Sequence, residues 1–198
     1  MFISFEGIDG SGKTTQSRLL AEALRAEGHD VVLTREPGGS EGAEAIRRLL
    51  VEGGADRWSA ESEILLFNAA RRDHLERIIH PALARGAIVI TDRFADSTRV
   101  YQGITRGDLT ETVEALHRLI IGIEPDRTFI IDIDPAEGLT RGAARGSTED
   151  RFESMGLAFQ EKLRAGFGAL ASACPARVRL VDGKGSPSTV AARVRAAL

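Results

Sequence analysis

The 198-residue chain has a single cysteine, a single tyrosine, a single tryptophan and only three lysines, Lys13, Lys162 and Lys184. Cys174, being alone, cannot form an intramolecular disulfide, and its place before Pro175 at an expected helix end reads as a structural thiol. Long apolar runs are missing as well. None exceeds four residues (Ile64 to Phe67, Ala87 to Ile90), against about 18 needed to span a bilayer. The first residues lack the basic, apolar and small-residue order of a signal peptide, so a cytoplasmic protein with no membrane association is expected. Charge of one sign is also absent. The 26 basic and 29 acidic side chains leave a formal charge of −3, which speaks against a nucleic-acid binder with a basic face. A charged ligand must then be met by locally gathered residues. With 42% hydrophobic residues the chain can bury one core, and a single domain over 1–198 is expected.

Five segments rich in Ile, Val, Leu and Phe recur between longer helical stretches: Phe2 to Glu6, Val31 to Arg35, Ala87 to Asp92, Thr128 to Asp134 and Val178 to Val181. Their continuous apolar character, and the helical pattern after each, predict an α/β fold with a parallel sheet covered on both faces. Function then belongs at the C-terminal ends of the strands. Asp134 with Pro135, Ser186 with Pro187, and Ser59 mark helix starts. The helix from Ser59 should reach about Arg85, with Pro81 disturbing it. From Arg141 to Ser154, RGAARGSTEDRFES mixes glycines with three arginines and has no apolar period, so a mobile lid is expected over about 141–154.

Gly7 to Thr14 reads GIDGSGKT, a full match to GxxxxGK[ST] between an expected strand and an expected helix. Gly7, Gly10 and Gly12 let backbone N–H groups turn toward phosphate oxygens, and the following helix points its positive end at them. Ser11 and Thr15 belong to the same loop and helix start. Lys13 supplies a movable charge, and Thr14 a hydroxyl where phosphate-bound Mg²⁺ takes oxygen ligands. Nucleoside triphosphate binding follows. A guanine-reading switch needs Asn or Thr directly before a Lys, but Glu161 precedes Lys162 and Gly183 precedes Lys184. DGKG, at 182–185 beyond the last strand, reads as a plain loop.

FEGIDGSGKTT, TREPGG at Thr34 to Gly39, LLFNAARR at Leu65 to Arg72, TDRF at Thr91 to Phe94, STRVYQG at Ser97 to Gly103 and DRFE at Asp150 to Glu153 stand together in one order. In that order and spacing the sequence resembles the thymidylate kinase family. The resemblance implies the P-loop NTPase fold with a five-stranded parallel sheet, a homodimer, ATP with Mg²⁺ as donor, and dTMP as acceptor. Two other readings remain open at this point. One is a P-loop kinase for another nucleotide or a nucleoside; the other is an ATP-dependent binding module that transfers nothing.

Helical spacing puts Ile64, Phe67, Arg71, Leu75 and Ile78 on one face, so Arg71 falls within an apolar stripe and needs a partner. Phe67 and Arg71 together can stack a planar base and donate to its carbonyl edge. The resemblance gives these two positions to thymine. Asp92 and Arg93 end the third strand, where a carboxylate can hold a magnesium-bound water and a guanidinium can fork across two phosphates. Phe94 stands where the family commonly has Tyr or His. By resemblance Asp9 meets the acceptor's 3′-hydroxyl, Glu36 and Pro37 line its pocket, Arg35 supports it and Arg47 binds the monophosphate, while Arg48 is solvated. Thr98 belongs to the same pocket, Gln102 can pair with the base edge, and the Tyr101 ring can fill the space a 2′-hydroxyl would need.

The acceptor phosphate already carries about −2 at neutral pH, so no general base is required. Positioning and charge then carry the catalysis, and arginines on a closing segment are worth roughly 10³ to 10⁵ in rate. Because Asp9, Gly10 and Ser11 are not basic, the resemblance implies that the lid supplies those charges. Arg145 is the first choice, Arg151 the second, and Arg141 is expected on the adenine.

Overall fold

The computed structural model describes residues 1–54, 56–105, 107–143 and 155–198. The strands are β1 (Phe2–Glu6), β2 (Val31–Arg35), β3 (Ile88–Asp92), β4 (Arg127–Asp132) and β5 (Val178–Asp182). All pair in parallel as one five-stranded sheet in the order β2-β3-β1-β4-β5. The helices are α1 (Lys13–Ala26), α2 (Glu41–Val51), α3 (Ala60–His74), α4 (His80–Ala84), α5 (Ala95–Thr98), α6 (Thr110–Leu116), α7 (Pro135–Ala143), α8 (Leu157–Ala173) and α9 (Pro187–Ala196).

Alternation along each strand divides the core between the two faces. Ile3 and Phe5 of β1, Ile90 of β3, and Phe129 and Ile131 of β4 pack with Leu20, Leu24, Val190 and Val194 of α1 and α9. Phe2 and Val89 point the other way, to Leu75, Ile79, Phe94 and Ile121. Ile130 joins Ile8, Val100, Tyr101, Leu163 and Phe167 on that second side. Polar residues inside the strands have partners: Ser4 Oγ meets Thr128 Oγ1 at 2.8 Å, and Thr128 donates to Asp96 at 3.2 Å. Arg177 closes on Asp96 with two bonds of 2.6 and 2.8 Å, while Arg99 joins Asp96, Glu114 and Glu124.

The strands fall within two residues of their expected limits. β4 stops at Asp132 rather than Asp134 because the Asp134 side chain accepts from Ala136 N at 2.9 Å and starts α7. Ser59 and Ser186 accept from Ser62 N and Thr189 N, each at 3.1 Å, and so cap α3 and α9. Between α3 and α4 the chain stays helical but widens at Leu75–Ile79, where His80 N bonds Leu75 O. The wide turn sits directly before Pro81, which has no N–H to continue a regular ladder. Similar wide segments occupy Arg99–Ile104 and His117–Ile121. Among the described residues no helix is long and apolar enough to cross a membrane. The expected lid begins inside α7, which holds Arg141; the part from 144 to 154, with Arg145 and Arg151, lies outside the described residues.

Candidate functional site

Register brings the strand ends together: Phe5 faces Asp92 across β1 and β3, and Asp92 faces Arg35 across β3 and β2. The segments that leave these ends, at Gly7, Arg93 and Glu36, therefore meet above the sheet. The phosphate loop turns through left-handed φ values at Gly7, Gly10 and Gly12. At Gly10 a Cβ would run into Gly138 O of α7, so only glycine lets that helix press against the loop. Lys13 is buried, and its Nζ donates to Ile8 O at 2.6 Å and Ser11 Oγ at 3.4 Å. Burial, then the nearby Arg93 charge, pulls its pKa down to about 8 against the pull of Asp9, Asp92 and Glu6.

Arg93 is the one non-glycine residue with positive φ among those described, at 71°. Its Nη1 donates to Gly7 O at 3.2 Å and Ser97 Oγ at 2.9 Å; its Nη2 donates to Asp9 Oδ1 at 2.5 Å and Tyr101 Oη at 3.1 Å. The fork expected to reach across two phosphates is thus committed to the protein, and only the Nε edge has no partner among the described residues. Burial would make this guanidinium easier to deprotonate, but Tyr101, Asp9, Asp92 and Glu6 together hold it firmly protonated. Burial likewise pushes Asp9 upward, and Arg93 and Lys13 outweigh it, so its carboxyl lies below the ordinary aspartate value.

One cavity is lined by Asp9, Glu36, Pro37, Arg47, Phe67, Arg71, Arg93, Thr98, Tyr101 and Gln102, the ten positions assigned to acceptor contact from sequence, while Arg35, expected to support it, lies outside this lining and donates to Glu44. Arg71 is buried with the partner its position demanded: Nε donates to Glu36 Oε2 at 2.7 Å, and Nη2 to Thr98 Oγ1 at 3.1 Å. Its guanidinium lies 5.2 Å from the ring of Phe94, which is itself edge-on to Phe2. Phe94 is therefore a buried platform for this guanidinium. Gln102 Nε2 donates to the buried carboxylate of Glu63 at 3.0 Å. The wide turn at Arg99–Ile104, closed by Thr105 N to Val100 O, brings the consecutive residues Tyr101 and Gln102 both to the wall. Sequence reasoning passed over Val51, Ser97 and the platform role of Phe94. Ser97 was legible as the residue one turn beyond Arg93.

A second cleft beside the loop is lined by Gly10, Ser11, Gly12, Thr15, Gln16, Arg141, Gly183, Gly185, Pro187 and Val190. The DGKG segment, read from sequence as a plain loop, lines this cleft with Gly183 and Gly185. Parallel pairing of β5 with β4 carries it back to the phosphate loop, and Gln16 Nε2 ties α1 to Pro187 O at 3.1 Å. A groove lined by Asp9, Lys13, Thr14, Arg18, Arg47, Asp92 and Arg93 shares Asp9, Arg47 and Arg93 with the first cavity and takes in Lys13 and Thr14 of the phosphate loop. Arg47 donates to Pro37 O at 2.5 Å, whereas Arg48 is exposed as expected. Within the groove Thr14 Oγ1 donates to the Asp92 carboxylate. Two hard oxygen donors in contact suit Mg²⁺, which takes one or two protein oxygens and completes its shell with phosphates and water. Among the described residues no group of three or more His, Cys, Asp or Glu side chains is placed to hold a metal ion.

The sequence profile of the thymidylate kinase family matches residues 5–194. A thymidylate kinase of Ruegeria pomeroyi is 63% identical over 194 residues, covering 98% of this chain and 92% of that protein. One from Dinoroseobacter shibae is 67% identical over 196 residues, with coverage of 99% and 95%. The crystal structure of thymidylate kinase from Ehrlichia chaffeensis superposes with a TM-score of 0.79 at 40% identity, covering 100% of this chain and 97% of that one. With the family profile spanning nearly the whole length, and the phosphate loop, the Asp92–Arg93 strand end and the Arg71 cavity meeting above one sheet, the chain belongs to the thymidylate kinase family.

Proposed function

We propose that the chain transfers the γ-phosphoryl group of ATP to dTMP, giving dTDP and ADP. The observation that carries this reading is that Asp9 and Arg93 line both the Arg71 cavity and the groove onto the phosphate loop, so an acceptor in one faces a donor in the other. ATP lies with its phosphates on Gly7 to Thr14 and Lys13, and its base between Arg141 and the turn at 183–187. The dTMP base lies against Phe67 and Pro37, accepts from the free guanidinium edge of Arg71, and pairs with Gln102. Asp9 takes the 3′-hydroxyl, the Tyr101 ring excludes a 2′-hydroxyl, and Arg47 with the Nε edge of Arg93 holds the monophosphate.

Chemistry on an anion that is already charged needs placement and counter-charge rather than a base. Lys13 and Arg93, both cationic and desolvated, stabilise charge on the oxygens between donor and acceptor. Thr14 and Asp92 would hold Mg²⁺, which when bound neutralises phosphate charge. Arg145, with Arg151 second, supplies positive charge for the migrating group. The chain works as a cytoplasmic homodimer, for which the exposed Leu65 of α3 and Leu119 of the neighbouring His117–Ile121 segment offer apolar contact.

An ADP-release assay with ATP and a panel of dTMP, dCMP, dGMP and thymidine tests the reading. Turnover is expected with dTMP far above the others. A preference for thymidine or a different monophosphate would replace the acceptor assignment, and ATP binding without transfer to any of them would leave only a binding module.

A further inference from the structure

His74 ends α3 one turn beyond Arg71, is completely buried, and lines neither the acceptor cavity nor the phosphate groove. Its Nδ1 lies 3.1 Å from Glu36 Oε1 and its Nε2 2.7 Å from Thr34 Oγ1. The other oxygen of Glu36 takes the 2.7 Å bond from Arg71 Nε. A carboxylate only accepts, so Nδ1 carries a proton toward Glu36, while Nε2 and the Thr34 hydroxyl share a hydrogen bond in which either atom can donate. The chain Thr34–His74–Glu36–Arg71 thus has a donor and an acceptor at every link. Gly39 backs onto it so closely that a Cβ there would lie 2.5 Å from both His74 Nε2 and Thr34 Oγ1. The second glycine of TREPGG therefore leaves room for the imidazole.

From this geometry we propose that His74 is a positioning residue for the acceptor base: by fixing Glu36, it locks Arg71 with its free edge toward the base carbonyl. Arg71 has a platform beneath it in Phe94 and a hydroxyl at one edge in Thr98, but neither sets the rotation of the carboxylate that grips Nε. Glu36 stands at a loop, and its side chain needs a second donor to choose one rotamer. His74 is that donor. The proposal rests on the acceptor reading above and adds that discrimination between thymine and cytosine depends on a residue that touches neither.

The test measures kcat and KM for dTMP, dCMP and ATP in wild type, His74→Phe, His74→Asn and His74→Gln, with circular dichroism confirming each fold. His74→Phe keeps a planar ring, one atom larger, and removes both bonds. It should lower kcat/KM for dTMP by about 10- to 100-fold, the range for losing a hydrogen bond to a charged group, narrow the dTMP over dCMP preference by a similar factor, and leave the KM for ATP within about twofold. His74→Asn puts an amide nitrogen near the Nδ1 position and should restore most of the preference. His74→Gln puts it near Nε2 and should not. A folded His74→Phe with unchanged preference overturns the proposal, as does a loss shared equally by dTMP and dCMP. If His74→Phe does not fold, Asn and Gln variants that discriminate alike overturn it. Failure of the wild type to use dTMP would instead overturn the acceptor reading itself.

Discussion

The backbone N–H of Phe94 donates to Glu6 Oε1 at 2.7 Å, so the last residue of β1 grips the chain just past the left-handed turn at Arg93. The other Glu6 oxygen accepts from Ser97 Oγ at 2.5 Å, and Ser97 in turn accepts from Arg93. Strand end, phosphate loop and Arg93 are therefore one connected unit.

Glu6 should make stability depend on pH. Burial first, and then the Asp96 charge, raise its pKa from 4.5 to about 7, although Arg93, Ser97 and the Phe94 N–H pull the other way. The folded protein then binds this proton more tightly than the unfolded chain does. Its contribution is complete below pH 4.5 and is lost as pH rises through 7, a difference of about 3 kcal/mol. Glu6→Gln should flatten the urea-melt stability curve between pH 5 and 8 relative to wild type; parallel curves would contradict this.

Asp9→Asn should weaken the acceptor side selectively. The variant keeps the shape of the side chain but loses the charge that holds Arg93 Nη2 and Tyr101 Oη. The KM for dTMP is expected to rise by about tenfold or more, as for a broken charge-assisted bond, with ATP affinity by calorimetry within a few-fold. Equal losses for both nucleotides would assign Asp9 to the loop's folding instead.

Gln102→Leu should reduce the preference for dTMP over dCMP by about fivefold or more, since one buried hydrogen bond is worth about 1 kcal/mol. Glu63 loses its Nε2 donor in the same variant, so thermal stability should fall as well. An unaltered preference in competition assays would remove Gln102 from base reading.

Arg145→Ala should lower kcat by orders of magnitude while ATP affinity stays within several-fold, because the charge it supplies matters at the migrating group. Single-turnover measurement separates this from slow product release. If turnover barely changes, the transferring phosphoryl is stabilised elsewhere.

Arg99→Ala should cost about 3–5 kcal/mol by urea melt, the usual result of stripping a partner from buried charges. Arg99 closes on Asp96, Glu114 and Glu124, and Asp96 is almost wholly buried. A loss under about 1 kcal/mol would mean that Arg177 holds Asp96 unaided.

Much of the site could be read from residues close together in sequence. The phosphate loop is local: eight consecutive residues carry the glycines, the lysine and the hydroxyl. The placement of Arg71 within an apolar stripe followed from helical spacing alone, and so did its need for a partner. The partner itself did not, because Glu36 is 35 residues away and arrives through the pairing of β2 with β3. The nucleotide cleft shows the same division. Gly10 to Thr15 were evident, whereas Gly183, Gly185 and Pro187 reach them through β5, nearly the length of the chain later.

The sequence by itself determined the strand and helix pattern, the parallel sheet, the phosphate loop and the residue types an acceptor pocket would need, since propensity, apolar period and turn chemistry act over a few residues at a time. Only the tertiary structure decided that Arg93 spends its fork on Asp9, Tyr101, Gly7 and Ser97, that Phe94 lies beneath Arg71, and that His74 stands behind Glu36. Those pairings are made by side chains from separate strand ends competing for the same few buried donors and acceptors, and that competition is settled only when the whole sheet has brought them together.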